Sequence, residues 1–267
     1  MDIEGFAQFH TPSLEIDEVR NNLILTILAE AEHNPAAVFR VWSLGAPGAC
    51  AVQKSGRPIV LGQLDRQQCC ALADQVRDLD FPAVVGSGQT AVWFAERAAA
   101  LGIDFAEPMP QKIYVIRDSP RYPGADGVSR VVAPGDEDLV AEWLLEFSRE
   151  ALPHEPEPDR EKIRKKSNDR QHIFWTVNNL PVAIAGIVRQ TKHGAAIGNV
   201  YTLPRFRGQG YAGSVTAALI ERAYIGGKLF VCLYTDLRNP FSNRCYAKVG
   251  FEPVCASWHY PRVEHCV

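Results

Sequence analysis

Apolar residues recur at three- and four-residue steps along residues 14 to 32, where Ile16, Val19, Leu23 and Ile27 share one face and predict a helix. The pattern then shortens. Short apolar runs bounded by turn residues, AVFRVWSL, ACAVQK and RPIVLGQL, read as strands. Residues 66 to 77 return to helical spacing, and FPAVV is another short strand. GSGQTAVWFAERAAALG reads as a turn feeding a helix, and QKIYVI as one more strand. Strand and helix thus alternate through the first half, the arrangement of an α/β domain.

The stretch DSPRYPGAD, residues 118 to 126, holds two prolines, a glycine and many polar groups. It predicts a linker at 118–127 between an N-terminal α/β domain, 1–117, and a second domain, 128–267. The second domain opens with a strand, SRVVA. A helix follows, GDEDLVAEWLLEFSREAL, whose acidic start suits a helix N-terminus. PHEPEPDREKIRKKSNDR then carries an acidic cluster (Glu155, Glu157, Asp159) and a basic run from Arg160 to Lys166, read as a solvated loop and helix face. HIFWTV and PVAIAGIV flank NNL, a hairpin signal, and HGA turns into a third strand, AIGNVYTL. A glycine-rich motif, an alanine-rich helix, the strand KLFVCLYTD, a short helix and the strand EPVCASWHY complete the order.

Composition narrows the function classes. The chain has 267 residues, a formal charge of -3, and 46% hydrophobic and 22% charged residues, an ordinary globular balance. A dedicated nucleic-acid binder would usually be strongly basic. The longest apolar run, PVAIAGIV, is too short to cross a membrane, and MDIEGFAQFH lacks a signal-peptide pattern. The expected compartment is the cytoplasm. Of the seven cysteines none are spaced as C-x-x-C, and no histidine pair stands at zinc-ligand spacing nearby, so no metal is expected. Cys232 and Cys245 lie in apolar patterns, where cysteine acts as a small hydrophobe. Reduced thiols in a reducing compartment are expected.

The chemistry concentrates in PRFRGQGYAG, residues 204 to 213, between a strand and a helix. A helix N-terminus offers unpaired N–H groups and partial positive charge, and glycines let backbone approach an anion. Arg205 and Arg207 add forked donors, so RFRGQG has the chemistry of a pyrophosphate clamp. One reading is a turn that merely starts a helix. Another is a dinucleotide site, because Gly208, Gly210 and Gly213 satisfy G-x-G-x-x-G and Asp236 ends the next strand. That fit fails where PRFR separates the strand from the first glycine, and too little chain follows for a doubly wound sheet. A nicotinamide-dependent oxidoreductase is therefore the weaker reading.

The third reading is a family resemblance. RFRGQGYA resembles the acyl-CoA signature of the GNAT superfamily of N-acetyltransferases, Q/R-x-x-G-x-G/A, with Arg205, Gly208 and Gly210 at its fixed positions. NPFSNRCYAKVGF, residues 239 to 251, is similar to the family's next block, and the element order of 128–267 is similar to a whole GNAT domain. The first half lacks the signature, since GSGQ at 86 to 89 has neither its arginine nor its spacing. The resemblance implies a C-terminal GNAT fold, a mixed, splayed β-sheet flanked by helices. The N-terminal α/β domain is then either a degenerate relative of the same fold or an unrelated domain.

The resemblance also implies site residues. The backbone of Val200, Tyr201 and Thr202 would line the pantetheine arm of acetyl-CoA. The amides of Arg207, Gly208, Gln209, Gly210, Tyr211 and Ala212 would face its pyrophosphate. Tyr246 is the candidate general acid, since a phenol with a pKa of about 10 can protonate the leaving thiolate. Asn239 reads first as a helix N-cap before Pro240 and by resemblance as a second CoA contact; Gly250 reads as a helix C-cap. An acceptor amine with a pKa of about 10.4 is neutral in only about 1 in 2500 molecules at pH 7, so a base is required. GNAT enzymes often carry a glutamate on the splayed strand, where this chain has Asn199. Asp236, Glu155 and His154 are the candidate bases. The expected activity is acyl-CoA-dependent transfer, most simply of acetyl to a primary amine, by direct attack in a ternary complex. Its partners would be acetyl-CoA and an amine, without nucleic acid or membrane. The rival within the resemblance is a CoA-binding regulatory module without turnover.

Overall fold

A computed structural model describes residues 2–34, 37–153, 155, 157–167 and 171–263. His154 and Cys266 lie outside these residues. In chain order the elements begin α1 (Ile3–Leu14), a 3₁₀ turn (Glu15–Asp17), α2 (Glu18–His33), β1 (Phe39–Ser43), β2 (Cys50–Lys54) and β3 (Ile59–Leu61). Next come α3 (Arg66–Val76), β4 (Ala83–Ser87), α4 (Thr90–Ala100) and β5 (Met109–Ile116). The second half holds β6 (Val128–Val131), α5 (Glu137–Ala151), α6 (Arg160–Ser167), β7 (His172–Val177), β8 (Leu180–Gln190) and β9 (Gly194–Thr202). A 3₁₀ turn (Pro204–Phe206), α7 (Tyr211–Ile225), β10 (Phe230–Asp236), α8 (Pro240–Val249) and β11 (Glu252–Pro261) follow.

The chain forms two compact units. The first is Met1–Tyr114 with Tyr234–Asn239 and Pro253–Val267; the second is Val115–Leu233 with Pro240–Glu252. In the first unit β1, β2, β3, β4 and β11 lie side by side. β3 and β4 are parallel, and β11 closes antiparallel onto β4 from Ser257↔Ser87 to Pro261↔Ala83. Both faces of this sheet are covered. Ala51, Ile59 and Leu61 pack with Leu72, Val76, Phe94 and Ala98 of α3 and α4. The alternate residues Cys50, Val52 and Val60 pack with Phe6, Leu14, Ile24 and Leu28 of α1 and α2. The period-two alternation of a strand thus serves two cores at once. α3 begins where it does because Asp65 and Gln68 form a reciprocal capping box.

The N-terminal helical stripe departs from expectation. Residues 3 to 14 are already helical, and the 3₁₀ turn at 15–17 resets the helical phase, so Ile16 is 84% exposed. Val19 is buried, Leu23 and Ile27 are only partly buried, and Ile24, Leu25 and Leu28 fill the core instead.

In the second unit β6 to β9 are successive antiparallel neighbours, and β10 lies parallel to β9 after the α7 crossover. Phe174, Ile184 and Tyr201 share one face with Trp143, Val140 and Leu144 of α5. The hairpin between β7 and β8 turns on Asn178 and Asn179, both at positive φ (49° and 65°), with Val177 paired to Leu180. Its two-residue loop is thus Asn-Asn, the backbone type that two left-handed residues favour. Among the described residues no helix is long and apolar enough to cross a membrane.

Candidate functional site

Within the second unit the parallel register of β9 and β10 runs from Gly194↔Phe230 to Ile197↔Leu233. β9 continues to Thr202, and toward β8 it stays paired as far as Thr202↔Ala183. Val200, Tyr201 and Thr202 form the end of β9 that leads into the glycine motif.

The chain then makes its 3₁₀ turn and reaches the glycines. Gly208 and Gly210 stand at φ 79° and 88°, a left-handed conformation that costs other residues about 1–2 kcal/mol. A Cβ on Gly208 would meet nothing within 4 Å, so its backbone faces open space. Gly210 is the N-cap of α7 and has no side chain to satisfy the first-turn N–H groups of Tyr211 and Ala212. Gln209 is exposed, and its Oε1 accepts from the Tyr211 hydroxyl at 3.1 Å. A cleft of about 470 Å³ opens here, lined by Gln209, Tyr211 and residues Pro123 to Asp126.

The two arginines differ. Arg205 is exposed, its guanidinium 5.0 Å from the Phe206 ring. Arg207 is turned toward α5: Nη2 reaches both Glu150 carboxylate oxygens at 2.8 and 2.9 Å, and Nε donates to the Thr202 carbonyl at 3.0 Å. Its guanidinium also lies 5.5 Å from the Tyr201 ring. The Tyr201 hydroxyl donates to Glu146 at 2.6 Å, and burial together with that carboxylate pushes its pKa up. Glu146 and Glu150, one helical turn apart, thus hold two residues of the strand and loop. Sequence reading did not single them out, although their four-residue spacing on α5 was visible.

The segment expected to be a linker is docked. Tyr122 Oη donates to the Gly210 carbonyl at 3.0 Å, Ala125 N–H donates to Ser214 Oγ at 2.8 Å, and Arg121 N–H donates to the Val249 carbonyl. Gly213 is required by this contact, because a Cβ there would stand 2.4 Å from Tyr122 Cζ.

Tyr246 lies on α8, which packs against α7. Phe241, Cys245 and Val249 stand at four-residue steps along α8, yet they are not its buried face: Phe241 is 76% exposed, and Tyr246 and Val249 are the buried pair. Phe241 instead lies under the Arg244 guanidinium. Tyr246 sits edge-on to Phe251, ring centres 5.9 Å apart. Burial pushes its pKa above the ordinary phenol value, so it stays protonated. Gly250 closes the helix at φ 111°, and the Phe251 N–H returns to the Tyr246 carbonyl at 3.0 Å, a glycine C-cap.

Asp236 and Asn239 belong to the first compact unit. Asp236 accepts from the Arg238 N–H at 2.8 Å and from its guanidinium at 3.2 Å, closing the turn after β10. Use of that carboxylate as a base requires the Arg238 pair to open. Asn239 immediately precedes Pro240, the first residue of α8. Burial pushes the thiols of Cys50 and Cys69 up to about 12 and that of Cys232 to about 11, which makes them poor nucleophiles.

Residues 138–251 match the acetyltransferase (GNAT) family. No curated sequence matches the chain. A solved Drosophila protein aligns with 98% of this chain and 97% of its own at TM-score 0.72 and 11% identity. A GCN5-related N-acetyltransferase from Kribbella flavida aligns with 91% of this chain and 96% of its own at TM-score 0.59 and 17% identity. A tandem GNAT protein from the clavulanic acid biosynthesis pathway aligns with 87% and 85% at TM-score 0.50 and 13% identity. At such identities the likeness is one of fold, and it extends beyond the family match into the N-terminal half.

Proposed function

We propose that the protein, whose residues 138–251 match the acetyltransferase (GNAT) family, transfers an acyl group, in the simplest case acetyl from acetyl-CoA, to a primary amine. The observation that carries this reading is the turn of left-handed glycines between the end of β9 and the head of α7. The turn suits a pyrophosphate, and the strand end before it suits the extended amide-bearing arm that the pyrophosphate carries. The amides from Arg207 to Ala212 hold the anion, with Arg205 beside them. Arg207 orders the loop through Glu150 rather than reaching outward.

Direct attack of a neutral amine on the thioester carbonyl breaks the C–S bond. Tyr246, protonated and shielded, gives its proton to the departing thiolate. Asp236 is the candidate to accept the amine proton, tested by Asp236→Asn. Asn239 would contribute a further polar contact to the nucleotide.

The test is thermal stability of the purified chain with acetyl-CoA, CoA, NAD or NADP at millimolar concentration. A ligand at 100 times its Kd stabilises by about 2.7 kcal/mol. A rise with acetyl-CoA and CoA alone supports the reading; a rise with NAD or NADP alone overturns it. A second reading, a CoA-binding module without turnover, is favoured by Asn199 standing where a carboxylate would serve. Amine-dependent release of free CoA separates the two.

A further inference from the structure

β9 carries a local irregularity against β8. Between the pairs Ile184↔Tyr201 and Gly186↔Gly198, two residue steps of β8 oppose three of β9, which is a β-bulge on β9. Within the bulge Asn199 has φ 54°, a left-handed conformation that asparagine tolerates better than most residues.

A residue two strands away reaches this point. His172 of β7 is buried, and its Nε2 lies 3.1 Å from Asn199 Nδ2, the amide N–H donating to the ring nitrogen. β8 lies between them. The path is open only because β8 has glycine there: a Cβ on Gly186 would stand 2.4 Å from the imidazole Cδ2. Three features at separate positions thus converge on one hydrogen bond: a glycine that clears a path, an imidazole laid across it, and a left-handed asparagine that meets it.

We infer that the His172–Asn199 pair is the latch that holds this bulge of β9, making both residues positioning residues for the ligand arm. The offset is local: between Ile187↔Ile197 and Arg189↔Ala196 two residue steps of β8 oppose one of β9, which restores the register. Such an offset can be lost without moving the rest of the strand, and the latch opposes that loss. It acts from the β7–β8 side and fixes the backbone that leads into Val200 to Thr202. The inference rests on the acyl-CoA reading above, because the arm it serves is the pantetheine arm.

The experiment is calorimetric titration of the full chain with two probes, acetyl-CoA and adenosine 3′,5′-bisphosphate. The second carries the nucleotide end and lacks the arm. Asn199→Gly keeps the left-handed backbone and removes the amide; His172→Leu removes the ring nitrogen; His172→Gln keeps a side-chain acceptor. The first two weaken acetyl-CoA binding about tenfold, the order of one hydrogen bond lost, and leave the bisphosphate unchanged. His172→Gln restores acetyl-CoA affinity. Unchanged acetyl-CoA affinity in Asn199→Gly and His172→Leu overturns the latch. Parallel weakening of both probes, with a lowered melting temperature, reduces the pair to general scaffold and also overturns it. Wild-type protein that binds neither probe overturns the acyl-CoA reading, and the latch falls with it.

Discussion

Gly213→Ala should destabilise the protein, and the sign should reverse when Tyr122 is removed. In an ordinary helix the substitution is favourable by up to about 1 kcal/mol, because alanine restricts the unfolded chain. Here the added methyl would stand 2.4 Å from Tyr122 Cζ, where carbon atoms prefer about 3.5–4.0 Å. The ring cannot simply swing away, because its hydroxyl is bonded to the Gly210 carbonyl. Overpacking of this kind costs about 1–3 kcal/mol. In a Tyr122→Ala background the clash is gone and the helical gain returns. The helical gain is common to both backgrounds and cancels, so the double-mutant cycle should show a coupling of about 1–3 kcal/mol. In thermal melts Gly213→Ala alone should lower Tm by roughly 2–4 °C per kcal/mol, and in the Tyr122→Ala background it should raise it. Additive effects of the two substitutions would refute the docking of residues 121–125 on α7.

Gly210→Glu should abolish acetyl-CoA binding, since it puts a side chain at φ 88°, a carboxylate among the anion-facing amides, and a Cβ 2.8 Å from Tyr122 Oη; titration calorimetry reads the loss. Tyr246→Phe should leave acetyl-CoA affinity nearly unchanged and lower turnover, with full activity over a wide pH range counting against the general-acid role. His10 is buried, its Nδ1 accepting from the Gly48 N–H and its Nε2 facing Ser43 Oγ, and burial lowers its pKa below 6.5. The unfolded chain thus takes up this proton first: its contribution to stability is complete above about pH 6.5 and is lost as pH falls through the folded value. Denaturant melts of wild type and His10→Gln between pH 5 and 8 should diverge on the acid side, where wild type alone loses that contribution.

Most of the strands and helices were legible because their signals are local. Asn-Asn before Leu180 marked a turn, and a short apolar run bounded by turn residues marked β2. The glycine motif was legible for the same reason: turn, helix start and charge all lie within ten residues. What escaped depends on tertiary contact. α1 contains Pro12, and the 3₁₀ turn after it shifts the phase, so a stripe counted from Ile16 starts in solvent and runs along the margin of the core rather than its centre. On α8 the side that packs inward selects Tyr246 and Val249, three residues apart, over the equally periodic set from Phe241. The 118–127 stretch has the composition of a linker, and nothing local tells that Tyr122 finds a glycine about ninety residues on to lie against. The three-strand alignment of His172, Gly186 and Asn199 is set by register, which no window along the chain contains.

The place of β11 bears on how this chain is made. Its residues from Pro253 onward belong to the first compact unit and pair with β4, although more than a hundred residues of the second unit are translated between them. At about 5–20 residues per second, β4 leaves the ribosome roughly ten to thirty seconds before its partner exists. During that interval its edge carries unpaired N–H and C=O groups, a template for any passing strand. The unit whose synthesis starts first is therefore completed last, and newborn chains at high expression should aggregate through that bare edge unless a chaperone covers it.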